Sequence, residues 1–167
     1  MTPVVNLISP AQLSNKVREQ IDAWLKKYPP EQKQSAVIAA LTFVQDEHDW
    51  LTPPLMDAVA AYLGMPKIAV YEVATFYSMF ETKPVGKYKI NVCTNISCML
   101  SGSKNIVEHL KQKLNIELGQ TTPDGKYTLK SVECLAACGG APAMQLGPDY
   151  YEDLTPKKVD EILASLE

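Results

Sequence analysis

The sequence contains four cysteines, which form two closely spaced pairs in the C-terminal half of the chain. The first pair is Cys93 and Cys98, and the second, thirty-five residues further on, is Cys134 and Cys138. Pairs with four and three intervening residues can each place both sulfur atoms on one side of a loop. Two such loops supply four thiolates, the ligand number of a [2Fe–2S] cluster and also of a structural zinc ion.

The spacing favours a cluster of two irons over a single metal ion. Structural zinc sites usually contain Cys-x2-Cys pairs or histidines, whereas these pairs are more widely spaced and His48 and His109 lie outside both. A two-iron cluster is wider than one ion, so longer loops suit it, with each pair holding one iron. A zinc-stabilised binding scaffold remains an alternative. A thiol oxidoreductase is another, although neither pair is the Cys-x-x-Cys of a thioredoxin-type active site.

Composition and charge are those of a globular protein with one or two domains. Of the 167 residues, 46% are hydrophobic and 21% are charged, and the formal net charge is −3. These apolar residues suffice for a core without disulfides. Arg18 is the only arginine and the sequence has no basic stripe, which argues against nucleic acid as a partner.

The sequence predicts no membrane insertion, because it has no run of about eighteen apolar residues. Residues 1–8 have neither the basic start and apolar run of a signal peptide nor the arginines of a transit peptide. We therefore expect the protein to reside in a reducing cytoplasm. In that compartment cysteines serve as metal ligands or redox groups more often than as disulfides.

The N-terminal half carries helical patterns. The first predicted helix is capped by Ser9-Pro10 and has an apolar stripe of Leu13, Val17, Ile21 and Leu25. A second is predicted from about Gln32 to Gln45 and a third from Thr52 to Gly64. Pro66 begins a fourth, short helix. The aromatic stretch Val70–Phe80 follows. We interpret its rings first as core or an inter-domain seam, with a docking surface for a partner protein as the alternative.

The C-terminal half alternates strands and helices beyond a turn-like break at Lys83–Gly86. Its predicted elements are a strand with Tyr88, Ile90 and Val92 inward, a helix opened by Ser101–Ser103, a turn at Asp124-Gly125, a strand with Tyr127, Leu129 and Ser131 inward, a strand over Ala143–Leu146, a strand at Tyr150-Tyr151, and a helix capped by Thr155-Pro156. We predict an α/β protein in which residues 1–84 form a helical module and residues 85–167 a thioredoxin-like βαβ-ββα domain.

This topology predicts that the two cysteine pairs meet. Each pair comes just after a strand of the βαβ unit, and the thirty-five residues between them suffice for one helix and one strand. A right-handed crossover makes the two strands parallel and brings their carboxyl ends to one edge. We therefore expect all four sulfur atoms at one corner of the domain, on loops.

Several motifs occur together in this sequence, namely Val73–Phe80, Pro84–Tyr88, Cys93-x4-Cys98, Gly119–Gly125, and Glu133–Cys138 with Ala141-Pro142. Together they resemble one family, the small thioredoxin-like [2Fe–2S] subunit of the NADH-dehydrogenase module of bacterial respiratory complex I. The similarity extends over roughly residues 10 to 167. One departure is Ala136, where the family often has glycine. If that position needs a positive φ, alanine is strained there.

The resemblance implies both the cofactor and its partners. Cys93, Cys98, Cys134 and Cys138 would ligate one [2Fe–2S] cluster that exchanges single electrons with the FMN of an NADH-binding flavoprotein subunit. FMN and NAD would be reached only through that partner, and the sequence contains no Gly-x-Gly-x-x-Gly. The chain would be a non-catalytic subunit of NADH-quinone oxidoreductase, joined to further complex I subunits on the cytoplasmic face of the inner membrane. The equivalent subunit of an NAD-reducing hydrogenase or formate dehydrogenase remains an alternative.

Backbone groups near the cysteines are the expected donors to sulfur. We expect N–H groups of residues 94–97 and 135–137 to fill this role, and the helix opened near Ser101 to direct its positive end towards the cluster. Glu108, Glu133 and the two histidines are interpreted as surface or structural groups. Pro142 precedes a predicted strand, where thioredoxin-like folds often keep a cis proline.

Overall fold

A computed structural model describes residues 13–166 of the chain. The chain divides into two compact units, Met1–Pro84 and Val85–Glu167. The predicted cap at Ser9-Pro10 lies outside the described residues. Both helices and a mixed sheet are present, so the predicted α/β class is confirmed.

The N-terminal unit is built from helices. Its α-helices are α1 (Asn15–Leu25), α2 (Val37–His48), α3 (Pro53–Leu63) and α4 (Lys67–Phe76), with a 3₁₀ helix over Pro30–Ala36. The Ser14 hydroxyl caps α1 by accepting the Val17 N–H at 3.1 Å. The Thr52 hydroxyl caps α3 in the same way. Each hydroxyl satisfies a donor that a helix start leaves unpaired.

The predicted bounds of the second helix are wrong at both ends. Instead of running from Gln32 to Gln45, α2 begins at Val37 and ends at His48. The preceding polar segment forms a 3₁₀ helix in which Gln32 has non-helical dihedral angles (φ −109°, ψ 36°). It offers the core almost no apolar side chains, so packing does not support an α-helix there. The helix continues past Gln45 to His48 and ends there, because Asp49 adopts a left-handed conformation (φ 66°).

The aromatic stretch Val70–Phe80 is partly core and partly surface. Phe80 is buried in the core of the helical unit, whose fully buried larger side chains are Val17, Ile21, Leu41, Val44, Leu51, Val59 and Val70. In contrast, Phe76 is 80% exposed, and Tyr77 and Met79 are also exposed. The core interpretation therefore holds for Phe80, and a docking role for the exposed side chains stays a prediction.

The C-terminal unit combines four strands and three helices in the predicted βαβ-ββα order. Its elements are β1 (Tyr88–Cys93), α5 (Ile96–Leu100), α6 (Ser103–Leu114), β2 (Tyr127–Val132), β3 (Met144–Leu146), β4 (Asp149–Tyr151) and α7 (Pro156–Ala164). The sheet order is β2-β1-β3-β4. Strands β1 and β2 are parallel, whereas β3 is antiparallel to both β1 and β4.

Strand β1 follows the predicted alternation, since Ile90 and Val92 are fully buried. Strand β2 departs from it: Thr128 is buried and Ser131 is exposed. The Thr128 hydroxyl accepts the Gly86 N–H at 2.6 Å and lies 2.8 Å from the Thr121 hydroxyl. These contacts cover a face of the edge strand that the alternation assigned to solvent, so a hydrogen-bonded polar side chain is buried there.

Position 86 requires glycine because its backbone packs closely against the backbone at the start of β2 and just before it. A β-carbon at this position would lie 2.9 Å from the carbonyl carbon of Tyr127 and 3.0 Å from the carbonyl oxygen of Gly125. Both are backbone atoms, which cannot rotate away. We expect Gly86→Ala to lower the free energy of unfolding by about 1–3 kcal/mol, measured by denaturant unfolding of the cluster-containing protein. Gly139→Ala is the control, because a β-carbon there meets no atom within 4 Å; equal losses in both variants would contradict the packing argument.

Candidate metal centre

The structure brings the two cysteine pairs to the carboxyl edge of the parallel strands β1 and β2. Cys93 is the last residue of β1 and is in register with Val132, the last residue of β2. Cys134 follows β2 after one further residue, and Cys138 begins a short 3₁₀ helix over Cys138–Gly140. The crossover therefore returns the chain to the edge from which it left, as the topology predicts.

The expectation that all four cysteines lie on loops is wrong, because Cys93 ends β1, Cys138 begins a 3₁₀ helix and Cys98 lies in a helix. Cys98 belongs to α5, a five-residue helix whose first N–H, that of Ile96, is accepted by the Asn95 side chain at 2.7 Å. Asn95 is a typical N-cap residue and was the available signal for this helix. The next helix, α6, begins at Ser103 after a left-handed Gly102 (φ 94°).

The two pairs differ in exposure. Cys93 is 4% exposed and Cys98 is 2% exposed, and both pack with the fully buried Ala143. Cys134 and Cys138 are exposed. The centre thus has one pair of sulfurs inside the domain and one pair at its surface.

Backbone N–H groups surround the sulfur atoms and act on their protonation. Burial tends to raise the pKa of Cys93, but the backbone amides of Asn95 and Leu135 and the Cys98 side chain lower it, and the net effect is a lowered pKa. Burial raises the pKa of Cys98, with further contributions from Cys93 and Cys138. These three thiols therefore lie close enough to interact.

The fourth thiol has its own donor. The Ala136 N–H points to the Cys134 sulfur at 3.3 Å. Asn95, Leu135 and Ala136 all fall within the segments expected to donate. Ala143, whose backbone amide tends to lower the pKa of Cys98, was missed, because it lies beyond both cysteine pairs in sequence and reaches the site only through the pairing of β3 with β1.

The donor set fits a cluster of two irons. Cys93 and Cys138 both act on the pKa of Cys98, Cys134 follows β2 at the same sheet edge, and the Ala136 N–H is directed at the Cys134 sulfur. Such a donor stabilises the thiolate form that binds metal. Four cysteines at one edge would supply the four thiolates that a [2Fe–2S] cluster takes. Within residues 13–166, no three or more His, Cys, Asp or Glu side chains are grouped so that they could hold one metal ion.

Ala136 is in the left-handed region, with φ 57°. Its alanine is therefore strained where glycine would not be, which is the outcome expected if this position needs a positive φ rather than only a small side chain. We expect Ala136→Gly to raise the free energy of unfolding by about 1 kcal/mol, because the side chain is exposed and its loss removes little packing.

Unfolding experiments on matched variants check this expectation. Ala137 has a negative φ of −104°, so Ala137→Gly relieves no strain and should lower stability by about 0.4–1 kcal/mol. If both glycine variants were destabilised alike, the left-handed strain at Ala136 would be negligible.

The other polar candidates lie outside the sulfur cluster. His109 Nε2 is 3.0 Å from Asp160 Oδ1 and joins α6 to α7, while His48 pairs with Glu47 in the helical unit. Glu108 is exposed on α6. Glu133 is also exposed, although its charge tends to raise the pKa of Cys93. The Ala141–Pro142 peptide bond is cis.

This fold and this set of thiols have a known counterpart. The sequence matches the family model of the thioredoxin-like [2Fe–2S] ferredoxins over residues 21–167. The chain belongs to this family, and its cofactor is one [2Fe–2S] cluster. The resemblance seen in the sequence motifs is thereby confirmed.

Curated relatives narrow the assignment within that family. The E 2 subunit of the NADH-quinone oxidoreductase of Rhizobium meliloti is 45% identical over 149 residues, which cover 89% of this chain and 88% of that protein. The E subunit of the Rickettsia conorii NADH-quinone oxidoreductase is 48% identical over 144 residues, covering 86% of each chain. The chain thus belongs with the E subunits of NADH-quinone oxidoreductases.

A solved structure supports the fold of most of the chain. A chain of an NAD+-reducing [NiFe]-hydrogenase matches with a TM-score of 0.69 and 20% identity over 83% of this chain. The matched region is 24% of that hydrogenase chain. At this identity the likeness concerns the fold alone. No helix within residues 13–166 has the length and apolar character to cross a membrane.

Proposed function

We propose that this protein is the electron-carrying subunit of an NADH-quinone oxidoreductase and that Cys93, Cys98, Cys134 and Cys138 hold its [2Fe–2S] cluster. The placement of both cysteine pairs at the carboxyl edge of β1 and β2, with the Ala136 N–H 3.3 Å from the Cys134 sulfur, is the observation that carries the proposal. The cluster supplies one-electron chemistry when bound. Residues 85–167 form the cluster domain, and residues 1–84 form a helical docking module.

The two cysteine pairs would hold that cluster in different surroundings. The buried pair Cys93 and Cys98 provides ligands that water cannot reach readily, because Ala143 and the partly buried Leu135, Ala137 and Ala141 pack around them. The exposed pair Cys134 and Cys138 keeps the other side of the cluster near the surface. A surface position suits a carrier that must exchange an electron with a group in another protein.

The partner in this proposal is an NADH-binding flavoprotein whose FMN exchanges single electrons with the cluster. Two exposed apolar surfaces are available to it. On the cluster domain, α5 exposes Ile96 (66%), Met99 (54%) and Leu100 (78%) beside Cys98. On the helical module, the exposed side chains are Phe76, Tyr77 and Met79. Large contiguous apolar patches on a protein surface often mark interaction sites, which supports a docking role for these side chains.

This chain is non-catalytic in the proposal, because NADH oxidation and FMN binding belong to the partner. The sequence lacks a dinucleotide-binding Gly-x-Gly-x-x-Gly. The assembled protein is a peripheral arm on the cytoplasmic face of the inner membrane, joined to further complex I subunits. Membrane attachment comes from those subunits rather than from insertion of this chain.

Isolation of the native complex through a tag on this chain tests the proposal. We expect an FMN-containing, NADH-oxidising subunit and quinone-reductase subunits to co-purify. Recovery of a hydrogenase or formate dehydrogenase subunit instead would assign the chain to the related assembly. A colourless protein with stoichiometric zinc after anaerobic isolation would support the scaffold alternative, and turnover of dithiol substrates without bound metal would support the thiol oxidoreductase.

A further inference from the structure

The chain leaves α4 through a short turn that carries two of the exposed side chains of the helical module. The Phe80 N–H donates to the Tyr77 carbonyl oxygen at 3.1 Å and closes this turn. Phe80 is buried, whereas Tyr77 and Met79 are exposed. Residues 77–80 form neither a helix nor a strand, so contacts from other parts of the module must fix which of these side chains face solvent.

The side chain of Gln45, on α2, hydrogen-bonds the backbone of this segment at two points. Gln45 Nε2 donates to the Met79 carbonyl oxygen at 3.0 Å, and Gln45 Oε1 accepts the Glu81 N–H at 2.7 Å. The Glu81 carbonyl oxygen in turn accepts the Leu51 N–H at 2.7 Å. A side-chain amide offers one donor group and one acceptor group, and here both are used on the same stretch of backbone. The pattern resembles the pairing that a neighbouring strand would provide.

A fixed backbone in this segment has a direct consequence for binding. A segment that is flexible in the free protein loses conformational entropy when a partner immobilises it, and this loss weakens affinity. The two hydrogen bonds from Gln45 and the burial of Phe80 restrict the backbone on both sides of the Met79–Phe80 peptide bond. Much of the entropy is therefore lost on folding, before the partner binds.

We propose that Gln45 is a positioning residue of the docking surface, whose two hydrogen bonds present Tyr77 and Met79 in the conformation that the flavoprotein binds. This inference rests on the proposed docking role of the exposed side chains that follow α4. Gln45 is partly buried and both polar groups of its amide face the segment. Its replacement should therefore weaken binding through Tyr77 and Met79, rather than through a lost contact of its own with the partner.

Calorimetric titration of the purified flavoprotein subunit with the full-length, cluster-containing protein tests the inference. Gln45→Met keeps the length of the side chain and removes both hydrogen bonds, so it should weaken binding about tenfold. Gln45→Glu is the second variant, in case the methionine protein fails to fold. It should also weaken binding, because a carboxylate oxygen would face the Met79 carbonyl oxygen. Gln34→Met is the control: it makes the same change at an exposed position of the 3₁₀ helix and should bind as the wild type does.

A mutant cycle separates positioning from a general loss of stability. In a protein that already carries Tyr77→Ala and Met79→Ala, either Gln45 variant should weaken binding further by less than about twofold. Wild-type affinity in the Gln45 variants, or the same loss in both backgrounds, would overturn the inference. The Tyr77→Ala, Met79→Ala protein also separates the two proposals. If it binds as the wild type does, the docking role fails and the inference with it; if it binds weakly while the Gln45 variants bind normally, the docking role stands and only the positioning role fails.

Discussion

Cys134→Ala should be isolated without most of the iron and acid-labile sulfide that the wild-type protein carries. A [2Fe–2S] cluster needs four protein ligands, and alanine leaves one iron without its thiolate. Cys134 is suited to this experiment because its side chain is exposed. Its removal leaves no cavity in the core, so loss of the cluster would reflect lost ligation rather than a disrupted fold.

Iron and sulfide analysis with the visible absorption spectrum measures this effect. Ser97→Ala is the matched control, because Ser97 lies between Cys93 and Cys98, is exposed, and offers no thiolate. It should retain the wild-type iron content. Full iron content and an unchanged spectrum in Cys134→Ala would rule out Cys134 as a ligand.

Replacing Phe76 and Tyr77 together by alanine should weaken binding to the flavoprotein by roughly 10- to 100-fold, the loss expected when aromatic hot-spot residues are truncated. The two rings pack edge to face, with centroids 5.1 Å apart, and both are exposed. Phe76 is 80% exposed, whereas Tyr77 is 39% exposed and packs edge to face against Phe80. The double variant should therefore lose only about 0.5–1.5 kcal/mol of stability, mainly from the lost contact between Tyr77 and Phe80.

Calorimetric titration of the purified flavoprotein with each variant, together with denaturant unfolding, separates affinity from stability. Phe80→Ala should behave in the opposite way, since Phe80 is buried; it should cost about 3–5 kcal/mol of stability. Tyr150→Ala removes an exposed aromatic residue from β4, which belongs to the other unit, and should leave affinity unchanged. Wild-type affinity in the double variant would show that Phe76 and Tyr77 take no part in docking.

The long-range geometry of the site was predictable because it follows from topology. The alternation that includes Ile90 and Val92 predicts a strand, which is followed by a helix and a second strand. Two strands joined in this way pair in parallel, and parallel strands bring the residues that follow them to one edge of the sheet. The cysteine spacing then indicates which residues meet there. The ligand assignment itself stays a proposal, since position alone does not demonstrate iron binding.

Shorter-range features were harder to predict. Helix α5 has five residues, too few for a helical period, and only Asn95 marks its start. Burial of Thr128 depends on Gly86 and Thr121, which are distant in sequence or outside the strand. The period of α4 likewise does not indicate that Phe80 is buried while Phe76 is exposed, because the chain leaves the helix between them.

The strain at Ala136 could be stated in advance only as a condition. The family resemblance indicated a position where glycine is common, but glycine can be required either by φ or by space. The structure gives φ 57°, which selects the first reason. Such a feature depends on the backbone conformation between two anchored cysteines, and no pattern of side-chain types encodes it directly.

Low-temperature EPR of the anaerobically purified protein, before and after reduction with dithionite, is the most direct test of the central claim. A [2Fe–2S] carrier should be silent when oxidised and should give a spin-one-half signal of about one electron per chain when reduced. Silence in both states, in a protein isolated anaerobically with no iron or sulfide and with chemical reconstitution also failing, would contradict the claim that this chain carries electrons on an iron–sulfur cluster.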